Sequence, residues 1–135
     1  MEEKIYIDPK EMLQGFDDGI NCAMCVFGTM APGLGFNRDE ARRIAALIGG
    51  GMGRSETCGC VTGAYMALGY KYANDQAGDT DKLAYAKQKR EEFNKLFIEK
   101  FRSLNCCEIL GGLHNCRPEE LEVIKEKNLY ETIFT

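Results

Sequence analysis

The chain has 135 residues, 44% of them hydrophobic and 28% charged, with a net charge of −4. That is the composition of one globular domain, here a single cysteine-rich unit over 1–135. The acidic balance excludes a basic nucleic-acid face, no window reaches the run of about eighteen apolar residues that spans a bilayer, and the start MEEKIYIDPKE lacks a signal-peptide pattern, so the expected compartment is cytoplasmic.

Asp8 before Pro9 reads as a capped start for a first helix to about Asp18 that buries Met12, Leu13 and Phe16, with Gly19 as its stop. Asn21 caps a second helix in which Cys22, Cys25, Val26 and Met30 share a face, and Pro32-Gly33 ends it. Asn37 opens a third, with the stripe Ala41, Ile44, Ala45 and Ile48, and it runs into a glycine turn. Gly49, Gly50, Gly51 and Gly53 permit positive φ and exposed backbone, so they, with Gly59, are the expected cofactor-binding loop. The turn is not a phosphate loop, because Arg54-Ser55 lacks the required glycine spacing.

Ser55 is positioned to cap a fourth helix reaching about Ala73, which puts Cys58 at cap-plus-three. Cys58, Val61, Tyr65, Leu68 and Tyr72 line one of its faces, and Gly59, Gly63 and Ala67 line another. The small-residue face lets a neighbouring backbone approach, so this helix is expected to be central, and it also offers a surface for a homodimer. Cys60 is expected to point away, toward Ala64 and Ala67. After a polar linker at 74–80, Asp79 or Thr80 caps a long helix to about Ser103 that turns Phe93, Leu96, Phe97 and Phe101 inward. A short helix at 105–110 carries Cys106 and Cys107, Gly111-Gly112 turns the chain, and Pro118 opens a last helix. No alternating run supports a strand, so the expected fold is all-α, a compact bundle of about six to seven helices.

Seven cysteines, an odd number in a reducing compartment, point to metal, cluster or redox chemistry rather than a disulfide framework, although buried cysteine can also be plain core. Cys22 and Cys58 stand at helix N-termini, where backbone N–H groups favour a thiolate, and are the candidate catalytic residues. Cys22 and Cys25 form a C-x-x-C without the βαβ context of a thioredoxin-like site. Cys58 and Cys60 on one helix would send their sulfurs to different faces, as would Cys106 and Cys107. The economical ligand set takes one sulfur from each place: Cys22, Cys58, one of Cys106 or Cys107, and Cys116. Four thiolates suit zinc or an iron-sulfur cluster; the same four could form redox pairs with no metal at all. His114, the sole histidine, reads as a surface-loop residue, with ligand or base as its functional alternative.

The order GINCA (Gly19 to Ala23), GGGMGRSETCGCVTGAYMALG (Gly49 to Gly69), LNCCEILG (Leu104 to Gly111) and then Cys116 resembles the C_GCAxxG_C_C family of redox-active proteins. The resemblance covers nearly the whole chain and maps the family's cysteines onto Cys22, Cys58, Cys106 and Cys116. Cys106 is chosen because it follows Leu104-Asn105. The chain departs from the family pattern in having Cys60 where alanine is usual, and in its extra Cys25 and Cys107. The resemblance implies a helical bacterial or archaeal protein, often of anaerobes. The expected function is a redox-active protein whose four-cysteine site binds a metal or iron-sulfur cluster for electron transfer; the alternatives are a metal-free thiol-disulfide oxidoreductase with a redox partner protein and an interaction module with structural zinc.

Overall fold

The computed structural model describes residues 9–114 and 116–127, and within them the fold is all-α. The helices are α1 (Pro9–Asp17), α2 (Cys22–Met30), α3 (Arg38–Ala45), α4 (Gly59–Tyr72), α5 (Thr80–Phe101), α6 (Cys106–Ile109) and α7 (Pro118–Glu126). A 3-10 turn, Pro32–Leu34, follows α2, and an irregular turn, Gly51–Ser55, precedes α4. The start and stop chemistry acts as expected at several ends. Asn21 accepts from the Met24 N–H and Asn37 from the Glu40 N–H, each satisfying a donor that the first turn of a helix leaves free. Gly19, Gly111 and Gly112 take φ of 87°, 75° and 92°, the left-handed values that end helices and turn the chain. The Asp8 cap lies outside the described residues.

α4 is central because its two faces are different surfaces. On one, α2 comes close: a β-carbon on Gly63 would lie 2.9 Å from the Ala23 carbonyl oxygen, and one on Gly59 would lie 2.8 Å from Cys22 Cβ. Only glycine admits that approach. Ala23, Phe27 and Ala31 form the buried side of α2, joined by Ala41 and Ala45 of α3 and by Ala67 of α4. The small-residue face proposed for a homodimer is therefore covered by the chain's own α2. On the other face, Cys58 and Val61 pack against Phe97 of α5, flanked by Tyr65, Phe93 and Phe101. Phe97 stacks at 5.7 Å from Phe93 and 4.5 Å from Phe101, centroid to centroid.

The apolar stripes are narrower than expected. Leu96 is 66% exposed and Ile44 54% exposed, and Met30 is also at the surface. In each helix the packed line runs at spacing four, through Phe93, Phe97 and Phe101, through Ala41 and Ala45, and through Ala23, Phe27 and Ala31. A residue at spacing three from that line turns to the open side when only one neighbour covers the helix. Cys106, Leu110 and Ile124 make a third small core between α6 and α7. Among the described residues no helix is long and apolar enough to cross a membrane.

Candidate functional site

Asn21 sets the corner of the site. Its amide caps α2, donates to the Ala46 carbonyl at 2.8 Å, and fills the space a Gly49 side chain would need. From Gly50 the backbone then turns left-handed: Gly50, Gly51, Met52 and Gly53 have φ of 62°, 67°, 59° and 69°, and Ser55 follows at 57°. That run cannot enter a right-handed helix. Ser55 is consequently not the helix cap; it is buried in the turn, its hydroxyl 3.4 Å from Cys116 Sγ and accepting from the Cys116 N–H at 3.4 Å. The helix starts four residues later, and Cys58 takes the N-cap position with φ −56° and ψ 139°.

Residues 56–58 run antiparallel beside 104–106. Thr57 bridges Asn105, the Cys58 N–H donates to the Leu104 carbonyl at 2.7 Å, and the Cys106 N–H donates to the Glu56 carbonyl at 2.5 Å. Cys58 and Cys106 thus stand diagonally across a two-stranded contact. Gly51 has no room for a side chain here, since its β-carbon would lie 2.3 Å from the Glu56 backbone nitrogen, with Cys106 Cβ next at 3.2 Å. Cys22 completes the arrangement from the start of α2, above Gly59. Between them is a mostly apolar cavity of about 290 Å³, lined by Cys22, Cys58, Cys106, Gly50, Gly59, Phe16 and Leu121, with the Lys125 side chain also on its wall.

Each thiol has its own electrostatic setting. The Cys60 thiol, hydrogen-bonded to Cys58, lowers the Cys58 pKa to about 7 against the opposing effect of burial, and the backbone N–H groups of Cys60 and Val61 add to the lowering. These N–H groups favour the thiolate without closing a conventional cap hydrogen bond. Cys60 moves the other way, well above the usual thiol value, through its contacts with Cys22 and Cys58 and through burial. Burial, then the neighbouring sulfurs of Cys58, Cys22, Cys107 and Cys116, pushes Cys106 up to about 12. Cys25 is raised by burial and by Cys22, partly offset by Arg42.

The structure therefore gathers Cys22, Cys58 and Cys106 around one cavity, with Cys116 at the surface behind Ser55. Of the glycines, Gly50 and Gly59 line the cavity, Gly49 makes room for the Asn21 side chain and Gly51 for the Glu56 backbone, and Gly53 faces open space. His114 is half-buried, not a free surface residue, with Nδ1 3.4 Å from the Glu120 carboxylate. Cys60 is the residue that sequence reasoning misplaced. It packs against the cluster of Cys58, Val61 and Phe97, and Cys22 and Cys58 act on its thiol, so it belongs to the site and does not point away from it. The reason is the late helix start: as N-cap, Cys58 is off the helical spiral, so its sulfur and that of Cys60 can meet. The sequence signal was the glycine run itself, which delays the helix past Ser55.

A single four-coordinate ion needs sulfurs about 2.3 Å from one point. Among the described residues no group of three or more His, Cys, Asp or Glu side chains is so arranged. Cys22, Cys58 and Cys106 line one cavity instead. Residues 20–131 match the model of a family described as "Putative redox-active protein (C_GCAxxG_C_C)". No curated protein and no solved structure matches the chain.

Proposed function

The chain belongs to the C_GCAxxG_C_C family, and on that premise we propose that its redox activity is thiol-disulfide exchange, with Cys58 as the attacking thiolate and Cys22 as the second redox thiol. The observation that carries this reading is Cys58 at the start of α4, its thiol lowered to about 7 and other thiols beside it. A thiol titrating near neutrality is close to the best compromise between thiolate population and nucleophilicity. The Cys58 thiolate attacks one sulfur of a partner disulfide, the S–S bond breaks, and one partner thiolate leaves. A second protein thiol attacks the Cys58 sulfur, gives up its proton, and releases the other half of the partner. Two electrons pass to the partner, and the protein is left with one disulfide. Cys106, pushed up to about 12, stays a neutral thiol and serves as apolar wall.

A second reading is favoured by the cavity. Cys22, Cys58 and Cys106, with Cys116 from the C-terminal side, would hold an iron-sulfur cluster there, and the cluster would supply one-electron transfer. The protein purified without oxygen separates the two. Thiol exchange is expected to give a colourless protein that loses two thiols to oxidised glutathione and regains them with a reductant, unaffected by chelators. Visible absorption with stoichiometric iron and sulfide would replace that reading with the electron carrier, and zinc alone, with unfolding on its removal, would make the site structural.

A further inference from the structure

The exchange just described accounts for Cys58 and Cys22 and leaves the sulfur between them without a task. Cys60 is the second residue of α4, packed against the Cys58, Val61 and Phe97 core, and Cys22 and Cys58 are the neighbours that act on its thiol. The backbone gives an independent statement of the same closeness. Gly59 separates Cys58 from Cys60, and a β-carbon placed on it would lie 2.8 Å from Cys22 Cβ and 3.0 Å from the Ala23 nitrogen. Cys22 thus stands directly over the residue that divides the two α4 cysteines. Because Cys58 is held extended by its bond to Leu104, it does not follow the helical spiral that would carry it away from Cys60.

We infer that Cys60 is a third working thiol, which takes the disulfide from Cys58 and passes it to Cys22, so that the oxidised protein carries a Cys22 to Cys60 bond with Cys58 free again. This deepens the thiol-exchange reading and rests on it. The Cys60 thiol loses its proton and attacks the Cys58 sulfur of the mixed disulfide; the S–S bond to the partner breaks and the partner leaves as a thiol. The Cys22 thiol then loses its proton and attacks the Cys60 sulfur, breaking the Cys58 to Cys60 bond, and Cys58 departs as a thiolate toward the N–H groups of Cys60 and Val61. The second step changes which sulfurs are bonded and transfers no further electrons. A Cys58 to Cys60 bond closes a small ring across a helix start, outside relaxed disulfide geometry. A bond from α2 to α4 joins two elements already in contact and is the better resting place.

The test uses the reduced full chain and oxidised glutathione, with alkylation of free thiols, digestion and tandem mass spectrometry. The expected product links Cys22 to Cys60 and leaves Cys58 alkylated. In C60A, the mixed disulfide of Cys58 with glutathione should accumulate and internal closure should slow about tenfold or more, since its nearest resolving thiol is gone. C60S provides a second variant that keeps the size of the side chain, and circular dichroism establishes that each variant is folded. A wild-type product linking Cys22 to Cys58 with Cys60 alkylated, or unchanged closure in both folded variants, overturns the relay while leaving thiol exchange standing. No loss of thiols to glutathione in any chain overturns both.

Discussion

At the scale of the residue, the distinctive feature is that neighbouring thiols are held at opposite ends of their range. Cys58 is drawn down to about 7 by the Cys60 thiol and by backbone N–H groups, and Cys106 is pushed up to about 12 by burial among other sulfurs. Reaction with iodoacetamide, followed peptide by peptide, should therefore rise through about pH 7 for Cys58 and stay low at Cys106 up to pH 9. In C60A the Cys58 midpoint should move upward, because the largest lowering influence has been removed. The same shift affects stability. The Cys58 folded value lies below the unfolded value of 9.0, so between about pH 7 and 9 the unfolded chain binds more protons and stability rises with pH. This contribution is fully present above the unfolded value and is lost as pH falls through 7. Melting temperatures of wild type and C58S should diverge in that direction from pH 6.5 to pH 8.5; a constant difference would count against a perturbed Cys58.

At the scale of the element, the contact between α2 and α4 depends on the absence of side chains. G63A would drive a β-carbon to 2.9 Å from the Ala23 carbonyl oxygen, and forcing such a contact costs about 1–3 kcal/mol. G53A makes no such contact, but its φ of 69° carries the left-handed strain of a non-glycine residue, about 1–2 kcal/mol. Urea unfolding should find both variants weakened, and repacking of the core around Ala23 and Val26 should appear only in G63A. The aromatic line of α5 divides in the same way. F97A, at the buried centre, should lose about 3–5 kcal/mol. L96A, at a surface position 66% exposed, should change stability by less than about 0.5 kcal/mol. Equal losses in the two would contradict the packing of α5 on α4.

At the scale of the whole molecule, the site forms where three distant stretches meet: the start of α2, the glycine turn leading into α4, and the segment through Cys106 to Cys116. Oxidation that links α2 to α4 closes a loop of some forty residues, so the oxidised protein should be more stable than the reduced by about 2–4 kcal/mol. Thermal melts of the two states should show the oxidised form melting higher, and C22A should abolish the difference. The sequence by itself determined most of the helices, because caps and glycine breaks are local chemistry: the caps at Asn21 and Asn37 and the break at Gly19 act within a few residues of where they stand, whereas the start of α4 moved from Ser55 to Cys58. It also determined that α4 would be approached closely, since glycine at spacing four has few other uses. The set of Cys22, Cys58, Cys106 and Cys116 was legible as one cysteine from each region, and the structure places the first three around one cavity. What only the tertiary structure decided is which sulfurs touch. Cys60 joins Cys58 because a left-handed backbone run postpones the helix, and Cys106 comes beside Cys58 because residues 56–58 pair with 104–106. Leu96 and Ile44 turn outward because one neighbouring helix covers less than a full apolar stripe. Local sequence specifies the direction of the chain over a few residues, whereas contact between sulfurs tens of residues apart depends on how the whole set of helices packs.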